Sequence, residues 1–211
     1  MLIERLVLGQ LDTNCWLAAD AEGGPLLVID PAGDAAVLLD AIAGRSVSVV
    51  VLTHGHFDHL GAATAVCTAT GAPLAVHRLD AAVVTDSWAN GGGMFGFEHV
   101  GPAPDRLLED GDTVQAGALT LGVLHTPGHT PGCICLYAAD ALDPHLFSGD
   151  TLFRGSVGRS DLPGGDGREL SRSIERQLSV LPVATKVHPG HGPDTTIAYE
   201  ARVNPFWPRG R

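Results

Sequence analysis

Four residues able to hold a metal ion fall within six positions of the stretch Thr53-His54-Gly55-His56-Phe57-Asp58-His59. On extended backbone, residues two apart point the same way, so His54 and His56 can grip one ion, while a turn beyond them swings Asp58 and His59 toward a second. Gly55 leaves room for the tight approach. The helical zinc motif His-Glu-x-x-His, with histidines four apart on one face, is absent, and the spacing calls for a loop site instead. Three more candidates complete the set: His129 in Thr126-Pro127-Gly128-His129-Thr130, Asp150 in Phe147-Ser148-Gly149-Asp150, and His191 in Pro189-Gly190-His191-Gly192. Each follows a glycine at the end of an apolar stretch, an arrangement that fixes a side chain at a strand edge. Any one of the three alone reads equally well as an ordinary turn residue. Together the seven are enough for two divalent ions and too many for one.

The elements that must position them are legible from periodicity. Apolar runs with β-branched character at 26–29, 47–52, 74–76, 119–124, 134–137 and 186–188 read as strands, each ending in a turn signal or a histidine. Segments 35–43, 60–70 and 168–181 carry apolar residues at three- and four-residue spacing, as amphipathic helices do. The stretch 107–124 reads as short strands broken by Asp110-Gly111-Asp112 and Ala116-Gly117. The pattern is mixed α and β, with sheets inside and helices outside. Two segments are irregular. One is 87–97, with Gly91-Gly92-Gly93 followed by Met94, Phe95 and Phe97; it is either a surface loop or a lid that lays an aromatic ring over a substrate. The other is 150–168, whose glycines and proline exclude regular structure for much of the span and whose start at Asp150 makes it a wall of the site.

Composition excludes several functions. With 45% hydrophobic and 18% charged residues the chain is too apolar for disorder, and no stretch of about 20 apolar residues offers a membrane span. The net charge of -11 argues against holding nucleic acid by its phosphates. Glu4 lies where a signal peptide would be basic, so a cytoplasmic protein is expected. Cys15, Cys67, Cys133 and Cys135 read as reduced packing residues, since zinc-site cysteines come as C-x2-4-C pairs. The remaining histidines read as structural or solvated: His77 and His125 end strands, His188 precedes Pro189, and His99 and His145 fall in polar loops.

His-x-His-x-Asp-His followed by separate His, Asp and His in glycine-containing loops resembles the metallo-β-lactamase superfamily, whose fold is a four-layer αββα sandwich. The resemblance implies that His54, His56 and His129 hold a first metal, that Asp58, His59 and His191 hold a second, and that Asp150 bridges them. Ligands spread over positions 54 to 191 make the chain, 1–211, one expected domain. The β-lactamases proper lack an aspartate at the bridging position, so Asp150 argues against a lactam. Phe147-Ser148-Gly149-Asp150-Thr151-Leu152-Phe153, Gly158-Arg159-Ser160-Asp161-Leu162-Pro163-Gly164-Gly165-Asp166 and Asn204-Pro205-Phe206 are similar to short bacterial hydrolases of the type II glyoxalase group. That similarity implies a thioester such as S-lactoylglutathione as the small-molecule substrate. It also puts Arg159 where that group has a lysine against a glutathione carboxylate, the alternative being an ion pair with Asp161. The group's tyrosine two residues beyond the last metal histidine is Pro193 here.

Two divalent ions, most readily zinc with iron or manganese as alternatives, can share a water and lower its pKa toward about 7, and Asp58 can orient it. A thiolate leaves without a proton, which matches the lack of a dedicated general acid in these motifs. The nearest alternative is a persulfide dioxygenase of the same fold, with one iron on His54, His129 and Asp150. A lactonase, a nuclease or a non-catalytic metal-binding protein stands further off.

Overall fold

The computed structural model describes residues 1–208. Strands β1 (Leu2–Leu8), β2 (Thr13–Ala19), β3 (Leu26–Ile29), β4 (Val47–Val51), β5 (Leu74–His77) and β6 (Arg106–Leu108) form one sheet in that order, antiparallel as far as β3 and parallel from there on. β7 (Thr113–Ala116), β8 (Leu119–His125), β9 (Ile134–Ala138) and β10 (His145–Gly149) make an antiparallel run in a second sheet. After a small ribbon of β11 (Leu152–Phe153) and β12 (Ser156–Val157), the chain returns as β13 (Lys186–Pro189), parallel to β10, and β14 (Thr195–Thr196) closes that edge.

Strand alternation divides the apolar side chains into three cores. Along β2 and β3, Cys15, Leu17, Ala19, Leu26 and Val28 point outward into a core shared with Leu38 and Ile42 of α1 (Ala35–Ile42), Ala63 and Val66 of α2 (Ala63–Thr70) and Val84 of the short α3 (Ala81–Val84). Their neighbours Trp16, Ala18, Leu27 and Ile29 point inward against Leu121, Val123, Ile134, Leu136 and Phe147 of the second sheet. On the far side, Cys135, Leu146 and Val187 pack on Leu170 of α4 (Gly167–Ser173) and Ile197 of α5 (Ile197–Val203). The result is helix, sheet, sheet, helix, the αββα sandwich expected from the motif. Each fully buried leucine or isoleucine here contributes about 1.5–3 kcal/mol.

The strands predicted from the sequence all form, within a residue or two of their expected ends. The predicted helix over 60–70 begins later, at Ala63, because Phe57–His59 make a tight turn first. The helix over 168–181 starts on Asp166, whose carboxylate accepts from Arg168 N and Glu169 N, and widens over Ile174–Leu178. One reading is corrected: His145 is not in a polar loop but opens β10, buried, with its ring stacked 5.1 Å from His188 and its Nδ1 2.8 Å from His188 Nε2. Ala138 is a local hairpin partner, but Lys186 and the stacked His188, which bury the ring, come from a distant part of the chain, so no local pattern announces it. Among the described residues no helix is long and apolar enough to cross a membrane, and all four cysteines are unpaired.

Candidate metal centre

All seven predicted ligands emerge at one end of the sandwich. β4 runs through Leu52 and Thr53 into His54, His56, Asp58 and His59; the loop after β8 carries His129; β10 ends at Gly149, next to Asp150; and β13 ends at Pro189, two residues before His191. Backbone bonds fasten these loops across the two sheets: Ile134 N donates to Thr53 O at 2.8 Å, Gly190 N to Gly149 O at 2.8 Å, and Asn14 N to Gly190 O at 2.7 Å. Two glycines are required by space. A Cβ at Gly190 would collide with Asp150 Oδ1 and His59 Cε1, and at Gly128, where φ is +134°, one would strike the backbone of Leu170.

Three triads bring one ligand atom each to within 4.8 Å of one another: His54, His56 and His129; His54, His59 and Asp150; and Asp58, His59 and His191. The first and last are the two sets implied by the motif. Asp150 lies between them, with Oδ1 3.3 Å from His59 Nε2 and Oδ2 3.6 Å from His129 Nε2 and 3.7 Å from His191 Nε2. A tetrahedral ion with bonds of about 2.0–2.1 Å sets its ligand atoms about 3.3 Å apart. The observed separations bracket that value: 2.9 Å between His56 Nδ1 and His129 Nε2, 3.2 Å between His129 Nε2 and His54 Nε2, 3.2 Å between His191 Nε2 and Asp58 Oδ2, and 3.5 Å between His59 Nε2 and Asp58 Oδ2.

The hydrogen bonds of the outer ring nitrogens leave the inward atoms of the neutral rings with lone pairs. His129 Nδ1 donates to Arg159 O at 2.7 Å, His191 Nδ1 to Leu11 O at 3.2 Å, and His59 Nδ1 to Asp30 Oδ2 at 3.0 Å. Thr53 Oγ1 donates to Asp30 Oδ2, so it accepts from His54 Nδ1 at 3.1 Å. Four Nε2 atoms are thereby left as acceptors facing one another, and buried His59 Nε2 and Asp150 Oδ1 have no hydrogen-bond partner. Converging lone pairs and unpaired carboxylate oxygens in a buried space repel unless positive charge, as metal ions or as protons, lies among them. The site fits a dinuclear metal centre.

Its electrostatics agree. Burial, reinforced by the neighbouring histidines, holds His54 well below its ordinary range and His56 down to about 3, so both rings are neutral, the form a ligand must take. At His59 and His191 burial also works downward, but Asp58 and Asp150 outweigh it and raise both. Without cations the carboxylates therefore hold protons on those two rings, and cations must expel them. Metal content of the native protein is expected to approach two equivalents. Affinity should fall as pH drops from 8 to 6, by up to about tenfold per unit for each proton displaced, as read by chelator competition. Saturation at one equivalent, or affinity flat over that range, would contradict this.

Three supporting residues escaped the sequence reading. Asp30, buried and with φ of 52°, accepts from Thr53 N at 2.7 Å as well as from Thr53 Oγ1 and His59. It ends the apolar run 26–29 just as the ligands end theirs, and that signal could have found it. Asp80 is fully buried and accepts from Gly55 N at 2.9 Å, Thr130 Oγ1 at 2.7 Å and Gly132 N at 2.7 Å, tying the 53–59 loop to the His129 loop. Thr13 Oγ1 donates to Asp58 Oδ2 at 3.1 Å. Nothing local marks either of these two.

Beside the ligands opens a cavity of about 470 Å³, lined by Leu11, Phe57, Phe95, Phe97, Phe153 and Arg159 among others. The 87–97 segment contributes Asn90, Gly91, Phe95 and Phe97 to its wall. Arg159 reaches the cavity and also pairs with Asp161, Nε to Oδ1 at 2.8 Å and Nη2 to Oδ2 at 3.0 Å. Of the histidines read as structural, His77 and His125 stack on each other 4.0 Å apart, away from the ligand clusters, and His99 is exposed.

The family model described as Metallo-beta-lactamase superfamily matches residues 8–195. Hydroxyacylglutathione hydrolase GloC of Haemophilus influenzae is 34% identical over 210 residues, covering 98% of each chain. Three solved structures are similar. BLEG-1 B3 metallo-beta-lactamase has a TM-score of 0.91 at 35% identity, over 97% of this chain and 99% of that one. TTHA1623 in a di-iron-bound form has a TM-score of 0.84 at 40% identity, over 96% and 99%. ETHE1 from Myxococcus xanthus has a TM-score of 0.76 at 30% identity, over 97% and 84%.

Proposed function

Since the chain belongs to the metallo-β-lactamase superfamily, we propose that it is a dinuclear metal-dependent hydrolase of thioesters, S-lactoylglutathione or a related acyl-thiol among them. His54, His56 and His129 would hold one divalent ion, Asp58, His59 and His191 the other, and Asp150 would join them. When bound, such ions lower the pKa of a shared water and polarise an acyl carbonyl.

The observation that carries the thioester reading is the cavity's lack of a proton donor. Apart from the ligand set, Arg159 is the one titratable residue among its described lining, and a guanidinium does not release its proton. An amine or alkoxide leaving group needs a proton, whereas a thiolate, with an ordinary thiol pKa of about 8.5, departs without one. Burial works to raise the Asp58 pKa, but His59 and His191 outweigh it and hold the carboxyl below its ordinary range. It thus stays ionised and can accept a hydrogen bond from the attacking water. The similarity to GloC over nearly the full length of both chains supports the same substrate class.

Metal analysis of the purified protein, with turnover of S-lactoylglutathione, a β-lactam and, under oxygen, glutathione persulfide, tests this reading. Thioester hydrolysis by the metal-loaded protein is expected. Lactam hydrolysis alone would favour the likeness to BLEG-1, and oxygen consumption with one iron per chain the likeness to ETHE1.

Arg159 gives a sharper expectation. If its guanidinium exchanges Asp161 for a substrate carboxylate, Arg159→Ala should raise KM for an anionic thioester roughly tenfold, about 1.4 kcal/mol, and leave a neutral thioester nearly unchanged. The His129 contact uses the Arg159 carbonyl and survives the substitution. The Arg159–Asp161 pair is exposed, so melting should hardly move. Equal losses on both substrates with a lowered Tm would make Arg159 a scaffold residue.

A further inference from the structure

The cavity beside the ligands has walls of unlike chemistry. On one side the Phe57 ring stacks on Phe97, with centroids 5.1 Å apart and planes 15° apart, and Phe95 follows at 6.1 Å. Phe57 and Phe97 also line a smaller cavity together with Asp58 and Leu11, and the Leu11 carbonyl holds His191, so this wall adjoins the Asp58–His191 half of the ligand cluster. Phe95 is 58% exposed, an aromatic face left to water at the cavity mouth. On the other side stands Arg159, whose carbonyl holds His129. A substrate with its scissile carbonyl over the ligands must lay one arm along the phenyl rings and the other toward the guanidinium.

We infer that the acyl arm is apolar, of aryl or branched-alkyl size, and lies against Phe57, Phe95 and Phe97, while the anionic thiol carrier lies toward Arg159. This rests on the thioesterase reading. A lactoyl group would cover little of the phenyl wall and would set its hydroxyl against rings that offer no strong hydrogen-bond partner. Each apolar CH2 withdrawn from water is worth about fourfold in kcat/KM, so two or three such groups outweigh anything a lactoyl hydroxyl gains there. In the reaction, water oxygen bonds to the acyl carbon, the C–S bond breaks, its electron pair leaves with sulfur, and one proton of the water passes to solvent. The apolar acid gives up the second proton of that water to solvent and departs as a carboxylate, beside the free thiolate.

The full-length, zinc-loaded protein should be given S-lactoyl-, S-acetyl- and S-phenylacetyl-glutathione, which share one carrier. S-phenylacetylglutathione is expected to show kcat/KM at least tenfold above S-lactoylglutathione. Phe97→Ala should remove most of that advantage, lowering kcat/KM for S-phenylacetylglutathione several-fold more than for S-lactoylglutathione, and Phe97→Leu, which keeps an apolar side chain, should restore part of it. Calorimetric titration with phenylacetate and with lactate reads the same preference without turnover, and phenylacetate should bind at least tenfold more tightly. If no thioester is turned over while phenylacetate binds and Phe97→Ala weakens it, the thioesterase reading fails and the apolar wall stands. Equal kcat/KM across the three thioesters, or equal affinity for the two acids, overturns the inference whatever the variants do.

Discussion

Asp150→Ser is expected to lower metal occupancy and kcat together, with kcat down by about 10³-fold, because several kcal/mol of charge stabilisation depend on that carboxylate. Between them its two oxygens face both halves of the ligand cluster, Oδ1 toward His59 and Oδ2 toward His129 and His191. Serine is too short to reach both and removes one negative charge from a pocket of converging lone pairs. Asp150→Asn keeps one ligand oxygen and should bind metal better than Asp150→Ser while remaining impaired. Inductively coupled plasma analysis alongside steady-state kinetics checks both. Two full equivalents with normal kcat in Asp150→Ser would end the bridging role.

Asp30→Ala is expected to cost about 3–5 kcal/mol of stability, the penalty for breaking a buried charged hydrogen-bond network. The carboxylate serves three buried donors, Thr53 N, Thr53 Oγ1 and His59 Nδ1, and all three would be stranded. Alanine would also sit at φ of 52°, a left-handed conformation that aspartate and asparagine tolerate better. For a chain of 211 residues the loss corresponds to a Tm lower by roughly 10 °C. Metal affinity should fall about 10–100-fold, as it does when a group orienting a ligand histidine is removed. Asp30→Asn separates the two effects: it keeps the backbone conformation and one acceptor, so most of the Tm should return, but its amide nitrogen opposes the His59 Nδ1 hydrogen and metal affinity stays low. A Tm within a degree of wild type for Asp30→Ala, measured by calorimetry, would show that these bonds are not what holds the site.

The sandwich was legible because its strands are apolar runs that stop at glycines, histidines and aspartates, and those stops are the site. β2 hid because Thr13-Asn14-Cys15-Trp16-Leu17-Ala18-Ala19 carries little β-branched character; its burial on both faces comes from lying between the helices and the second sheet, a tertiary fact. α5 hid for a similar reason, being a single short helix whose inward face is defined by Ile197 and Glu200. In the site, the seven candidate ligands could be named from spacing, since a ligand must end an element and needs a nearby glycine for approach. Asp80 could not, because its three partners, Gly55, Thr130 and Gly132, come together only when the 53–59 and 126–133 loops meet. Arg159 could be named but not assigned: spacing puts it beside Asp161, and only the folded wall puts it in the cavity as well.

The main-chain carbonyls of Leu11 and Arg159 fix the rings of His191 and His129, while the side chains of those same two residues line the cavity. One position therefore serves two masters through different atoms. Exchange of either side chain leaves the carbonyl in place, so the choice of substrate can drift by mutation without loosening the imidazoles. The geometry thus separates what the protein must keep from what it is free to change, and it does so inside single residues.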